Sequence, residues 1–533
     1  MRKIVPATIA ALAALGAAYW WRRWPENQEM AERADVSGSH TLSTPPSVSG
    51  EAQAKPSREV PPPDSEQSGR TPRYFVPGEA LVVVQAAQPL TAEVLEGVAA
   101  RLKAVYAPVG AEVLAYPSPE GGEWITVTRL RWPESAGYEA MLQRFVTVES
   151  QVKEGIADDG WRVTSWMPNW LGSVASAAPD GERHYTPGGP GAYPRPVSSP
   201  VGGLPLTDAP FLQEWRGGVE RPVTLAVLDA FPSVEALEGR VLPGALDKLT
   251  EAFRVDTRAP SFDSSRHFAA FRTGEPFDMS DHGLMATWLA TEVIGEAAME
   301  KVTVEPIRIA GESGVCSTAD VIAGLAPLVP RARDGEVFVV LLAFVLGMGD
   351  IIPPRLRPYE EHYEALRLVC LALSEAGGTL LGAAGNDGTG LQHPPRTRLP
   401  AAFRSVIEVT AGQLNQPGLA LYANQAKALS LFGGESDLNF VSASNLPPLF
   451  GPALAPEIRT GSATVVPNET GWVAWAGTSF AAALAAGLAV LLRSREPELK
   501  MWDVRTRLRS VATGTRNPGN VPFVDVVRPP ETA

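Results

Sequence analysis

From Gly471 to Leu492 the chain carries no charged residue, and near its start the run reads Trp475-Ala476-Gly477-Thr478-Ser479-Phe480-Ala481-Ala482. A stretch so long and so uncharged has few homes: a bilayer, or the interior of a large globular core. The alanine and leucine residues from Ala483 to Leu492 favour a helix, which puts Ser479 in its first turn, beside unpaired backbone N–H groups and the positive end of the helix dipole. Three readings stay open from this stretch alone. It is a membrane span, a buried central helix with Ser479 as its cap, or a helix start that presents Ser479 as a nucleophile and stabilises an oxyanion.

The 533 residues suffice for two or three domains, and a hydrophobic share of 45% supports a large core. A formal charge of −13 argues against a nucleic-acid partner, which needs a basic face. Two cysteines, Cys316 and Cys370, lie far apart in sequence. They read as two unconnected buried thiols or as one bridge in an oxidising compartment. No Cys/His cluster has zinc spacing, and six histidines offer a metallohydrolase few ligands.

Met1-Arg2-Lys3 precedes an uncharged run from Ile4 to Trp21 that stops at Arg22-Arg23. This is the pattern of an export signal, with Gly16-Ala17-Ala18 as cleavable small residues, or of a membrane anchor with Tyr19, Trp20, Trp21 and Trp24 at the interface. Residues 1–24 are therefore read as signal peptide or anchor, with the bulk of the protein outside the cytoplasm, secreted or tethered to the membrane through residues 4–21. Residues 25–73, rich in Ser, Pro, Glu and Gly, read as a disordered linker. Residues 74–171 carry strand patterns at 80–84, 111–116, 124–130 and 161–166 and helical patterns at 91–106 and 138–152. That order, β-α-β-β-α-β, predicts a small α+β domain of ferredoxin-like type. Residues 172–205 return to Ala, Gly, Pro and Ser and read as a second linker. From 206 to 526 apolar runs (223–228, 302–309, 337–342, 379–384, 406–410, 438–441) alternate with helical patterns (285–298, 318–328, 359–376). Such alternation predicts an α/β domain with a mostly parallel central sheet flanked by helices, leaving 527–533 as a tail. In such sheets the ligand site lies at the carboxyl ends of strands.

Two strand ends carry polar residues: Asp229 closes the first run, and Asn386 follows the glycine-bracketed Ala383-Ala384-Gly385. Between them Ser280-Asp281-His282-Gly283 precedes a helical pattern. Each is ordinary by itself. Together with Ser479 they supply a weak nucleophile, a base to activate it, a carboxylate to orient that base and an amide to donate to an oxyanion. The order Asp, His, Ser differs from that of α/β-hydrolases, and Gly477-Thr478-Ser479-Phe480-Ala481 lacks the second glycine of their elbow.

In these residues the chain resembles the subtilisin-like serine proteases, or subtilases, over roughly 211–524. Gly477 to Ala482 is similar to the family's serine signature, and Val406 to Ala411 with Leu419 to Asn424 resembles the segment between its asparagine and its serine. The resemblance implies a subtilisin-like fold, Ser479 as nucleophile, His282 as general base, Asp229 as orienting acid and Asn386 as oxyanion donor. It makes the uncharged run the family's buried central helix. It also implies a substrate-pairing edge at Val345-Leu346-Gly347 and a small pocket wall at Ala383, Ala384 and Gly385. Pro77 to Val82 and Trp166 to Trp170 resemble the first strand and the terminal segment of the family's propeptide, so the first domain is expected to act as an intramolecular inhibitor, with processing between about 171 and 203. An unrelated accessory domain is the alternative there.

Some neighbours depart from the family pattern. Ala230-Phe231 follow the aspartate, Leu284-Met285 follow His282-Gly283, and Ala483 stands where a proline is usual. Phe231 in particular is expected to alter how Asp229 is packed. The expected activity is that of an exported serine endopeptidase acting on protein or peptide substrates and made as a self-inhibited precursor. A catalytically impaired relative that binds peptides or a partner, and more remotely an esterase with the same triad, are the alternatives. No cofactor is called for; calcium often stabilises the family, yet no Asp-x-Asp-x-Asp-Gly loop occurs and no metal site is assigned.

Overall fold

The computed structural model describes residues 75–528 apart from 107–113, 120, 133–137, 159, 175–193, 199–202, 234–236, 238–278, 347–362, 387–396, 415–417, 421, 425–439, 447–448, 461–464 and 517–520. The chain divides into two units, Met1–Gln67 and Ser68–Ala533, and all described residues lie in the second. The expected signal or anchor and the first linker lie outside the described residues.

The N-terminal part runs β1 (Phe75–Ala86), α1 (Ala92–Arg101), β2 (Val105–Tyr106), β3 (Leu114–Pro117), β4 (Trp124–Arg131), α2 (Tyr138–Glu154), β5 (Ala157–Asp158) and β6 (Trp161–Val174). Strand β1 lies between β4 and β6, antiparallel to both, and β3 adds to the far side of β4. The predicted elements occur in the predicted order, with the two-residue strands β2 and β5 added between them. The prediction misses the length of β6, which continues past Trp166 to Val174 into what reads as linker. The second linker is interrupted again by β7 (Arg195–Pro196).

The larger part follows as α3 (Pro210–Gly217), β8 (Val223–Ala230), α4 (Asp281–Ile294), β9 (Val302–Ala310), β10 (Val315–Ser317), α5 (Thr318–Leu325), α6 (Leu328–Arg333), β11 (Phe338–Leu342) and β12 (Phe344–Leu346). It goes on through α7 (Glu364–Glu375), β13 (Thr379–Ala383), β14 (Ile407–Gln413), β15 (Phe440–Leu446), β16 (Leu449–Pro452), β17 (Glu457–Arg459), β18 (Val465–Pro467) and β19 (Trp472–Trp475). It ends with α8 (Thr478–Arg495), α9 (Met501–Ser510), β20 (Gly514–Arg516) and β21 (Val521–Val524). Strands β9, β8, β11, β13, β14, β15 and β21 are neighbours in that order, and each pair is parallel. At its centre β8, β11 and β13 are buried at every residue and mostly apolar, as a sheet covered on both faces requires.

Helix α8 is the uncharged run, and Thr478 to Ser494 are all buried. It packs on α4 and along β11, β13, β14 and β15. Among the described residues no helix is long and apolar enough to cross a membrane. Close approach to α4 depends on Gly487, where a Cβ would lie 2.6 Å from the Ala290 carbonyl oxygen. The expected helix at 318–328 is two helices, because Pro327 and Pro330 lack the N–H groups that would continue the first. Both cysteines are free and buried, and burial pushes both thiols above their ordinary range.

One sheet continues from the N-terminal part into the larger one. The end of β6 pairs antiparallel with β10, which in turn pairs with the edge of the parallel sheet at β9.

Candidate active site

Asp229 is the penultimate residue of β8, and His282 the second residue of α4. His282 Nδ1 lies 2.8 Å and 2.9 Å from the two carboxylate oxygens of Asp229, and both side chains are fully buried. A carboxylate offers no proton, so Nδ1 donates and the neutral ring is left with Nε2 as acceptor. Asp229 Oδ1 also accepts from the Ala230 N–H at 2.7 Å. Burial pushes the Asp229 carboxyl above its ordinary range, while the His282 ring and the Ala230 N–H draw it back. Trp475 and Phe480 flank the imidazole, with ring centroids 5.2 Å and 4.9 Å away. Nε2 is buried and has no hydrogen-bond partner among the described residues.

The start of α4 is itself held in place. The Asp281 carboxylate accepts the backbone N–H groups of Leu454 and Ala455 at 2.8 Å and 2.9 Å, tying His282 to the loop beyond β16. Gly283 follows because nothing larger fits: a Cβ there would stand 2.3 Å from the Ala230 carbonyl oxygen and 2.7 Å from Phe231 Cε1.

Ser479 is the second residue of α8 and nearly fully buried. Its hydroxyl donates to the Ala343 carbonyl at 3.1 Å, in the one-residue gap between β11 and β12. Asn386 follows β13 by three residues, and its Oδ1 accepts both the Thr478 N–H (2.9 Å) and the Thr478 hydroxyl (3.0 Å). A backbone N–H can only donate, so this fixes the amide with its oxygen toward α8 and leaves Nδ2 as the outward donor. The Thr478 hydroxyl accepts in turn from the Gly385 N–H at 3.0 Å. Gly385 has φ +110°, and a Cβ there would be 2.5 Å from Asn424 Nδ2. The structure thus pairs Asp229 with His282, and couples the start of the Ser479 helix to Asn386 through Thr478.

Beside Ser479 two short strands bracket a third. β10 and β12 pair antiparallel with opposite edges of the end of β6: Cys316 and Leu346 both face Gly172, Val315 and Val345 face Ser173, and Phe344 faces Val174. The Val174 N–H donates to the Gly314 carbonyl at 2.9 Å. Of the expected edge, Val345 and Leu346 lie in β12; Gly347 lies outside the described residues. Ala383 and Ala384 are buried, with the Ala384 N–H on the Val409 carbonyl. Upstream in β6, Asn169 Oδ1 accepts the Ala319 N–H at 3.0 Å at the start of α5, while its Nδ2 donates to the buried Glu79 at 2.9 Å. The Trp170 ring stacks on Tyr363 with centroids 5.9 Å apart.

Sequence reasoning missed β10, Ala343 and Thr478. Only the Gly-Thr-Ser string hinted at Thr478, as part of a motif and without a role.

A buried Asp–His pair, a helix-borne serine and a fixed amide donor at the carboxyl ends of parallel strands are the groups nucleophilic acyl transfer needs. The model of the subtilase family matches residues 278–523, a span that contains His282, Asn386 and Ser479 and begins beyond Asp229. Subtilases are serine peptidases. No curated protein matches the chain.

Proposed function

We propose that this protein is an exported serine endopeptidase of the subtilisin type, made as a precursor that its own N-terminal domain inhibits. The observation that carries the reading is the end of β6: an extended main chain paired on both edges, leading to Phe344, the neighbour of the carbonyl that holds Ser479. Main-chain pairing of this kind gives an extended polypeptide its affinity, and the space beside each residue sets which side chains fit.

In this reading the Ser479 hydroxyl leaves the Ala343 carbonyl, gives its proton to His282 Nε2 and attacks the peptide carbonyl. Asp229 holds the tautomer and stabilises the imidazolium. Asn386 Nδ2 donates to the oxyanion as the tetrahedral intermediate forms. His282 then protonates the departing amine, and water, deprotonated by the same nitrogen, releases the acyl group from Ser479. Residues 75–174 act as the intramolecular inhibitor, and processing falls shortly beyond Val174, within 175–203. Residues 4–21 direct export, as a cleaved signal or a retained anchor.

A second reading, an impaired relative that binds peptides without cleaving them, draws support from the Ser479 hydroxyl lying on Ala343 rather than on His282. One comparison separates the two. Purified chain and its Ser479→Ala variant are incubated and their masses followed, with a fluorophosphonate probe added to parallel samples. The peptidase reading expects cleavage and labelling in the parent alone. If both chains stay intact and neither is labelled, the binding reading replaces it.

A further inference from the structure

The bracketed end of β6 also limits which peptides can lie there. Gly172 is flanked by Leu346 on one side and Cys316 on the other. A Cβ built on Gly172 would stand 2.3 Å from Leu346 Cδ2, 2.5 Å from the Val345 carbonyl oxygen and 3.1 Å from Cys316 Sγ. The leucine tip can rotate, but the carbonyl belongs to the strand that makes the pairing. Moving it would break the ladder that holds the peptide. Two residues on, the opposite holds: Gly314, with φ +72°, leaves room that Val174 Cγ2 fills, 2.9 Å from where a Gly314 Cβ would be.

We infer that the cleft between β10 and β12 selects glycine at the place of Gly172, so that the peptides it takes carry Gly-x-Val or a similar small apolar residue in the last place. This rests on the peptidase reading for its catalytic consequence, but the steric exclusion stands on the pairing alone. Leu346 and the Val345 carbonyl set the selection, and Cys316 closes the other side.

Two measurements test it. The first uses the full chain with Ser479→Ala, so that no cleavage intervenes, and follows hydrogen exchange of the 171–174 amides. Adding Gly172→Ala is expected to speed that exchange at least about tenfold, the usual effect of overpacking a filled site, while the amides of β1 and β4 keep their protection. Leu346→Ala in the same chain is expected to recover part of the loss, because it removes the closest contact and leaves the carbonyl. Unchanged exchange in the Gly172→Ala chain overturns the inference.

The second uses the self-processed protein and two peptides copying residues 169–180, one as it stands and one with alanine for Gly172. The glycine peptide is expected to show kcat/KM at least about tenfold higher, a gap that Leu346→Ala narrows. Equal cleavage overturns the inference. Cleavage of neither peptide counts against the peptidase reading, and the exchange comparison then decides on the glycine. Should Gly172→Ala fail to fold, the peptide pair decides.

Discussion

The crossing of α8 over α4 sets the distance between the helix that carries Ser479 and the helix that carries His282, and Gly487 is the residue that permits it. Replacing it with alanine has two opposed effects. Alanine favours the helix by about 1 kcal/mol over glycine. Against that, its Cβ would stand 2.6 Å from the Ala290 carbonyl oxygen and 2.8 Å from Val293 Cβ, with Cγ1 at 3.0 Å. None of the two nearest atoms can rotate away, so the helices themselves must part. Overpacking of this kind costs about 1–3 kcal/mol, and with the nearest contact on backbone the upper part of that range applies. The expected net loss is about 1–2 kcal/mol, or a fall in Tm of roughly 1–2 °C for a unit of this size. The assay is thermal and urea unfolding of Gly487→Ala in a Ser479→Ala background, which prevents self-digestion. In the active chain the same change is expected to lower kcat about tenfold, because both groups sit in the first turns of the helices being displaced and catalysis tolerates little misplacement. A higher Tm with kcat unchanged would refute the reasoning: it would mean that the helices separate freely and that their spacing does not position the site.

Asn386→Ala removes the acceptor of the Thr478 N–H together with the outward amide donor. On the proposed mechanism kcat falls about 100- to 1000-fold with little change in KM, measured on a peptide ester and a peptide amide; an unchanged kcat removes Asn386 from the site. Glu408 in β14 is buried, its Oε1 has no hydrogen-bond partner among the described residues, and burial pushes its carboxyl well above the ordinary range. Folding at a pH above the unfolded carboxylate value of about 4.3 therefore takes up a proton. Stability from this group is full below that value and declines as pH rises toward the folded pKa, by up to about 1.4 kcal/mol per unit. Glu408→Gln is expected to match the parent's stability near pH 4 and to exceed it increasingly toward pH 7 in urea unfolding of Ser479→Ala chains; a constant offset across that range would contradict the assignment.

How much of this was legible in the sequence follows from the length of each signal. The uncharged run ending at Leu492 and the apolar runs of β8, β9, β11 and β13 are long enough to define themselves, and they fixed the parallel sheet and its central helix. The helix expected at 285–298 lies at Asp281–Ile294 because its first turn is polar for the sake of the site: Asp281 caps two distant backbone groups and His282 faces Asp229, so apolar periodicity begins only after them. In the sequence, strand β6 looks short because Pro168 interrupts it, and a proline demotes a strand unless its missing donor is not needed. Strands β10 and β12 have three residues each, too few to show any period. The cleft they form is a product of tertiary pairing. Ala343 and Cys316 acquire meaning only there, and neither side chain bears the mark of a site.

One departure from the family pattern, Phe231 beyond the acid, meets the glycine that follows the base. Phe231 follows the strand that carries Asp229, and Gly283 follows His282; the structure sets them against each other, with the Ala230 carbonyl 2.3 Å and Phe231 Cε1 2.7 Å from the missing Cβ of Gly283. The acid and the base are therefore brought within hydrogen-bonding distance by a contact of main chain on main chain, at the one position where a side chain is absent. A bulky residue after the aspartate does not loosen that arrangement, because it fills space that Gly283 leaves. Phe231 thus changes the packing, as the sequence suggests, but it does so on the Gly283 face, while both Asp229 oxygens remain within 2.9 Å of His282 Nδ1. This weakens the case for an impaired enzyme so far as it rests on the residue beyond Asp229. What remains for that reading is Leu284-Met285 after His282 and the Ser479 hydroxyl on Ala343, and a hydroxyl reorients by rotation about a single bond.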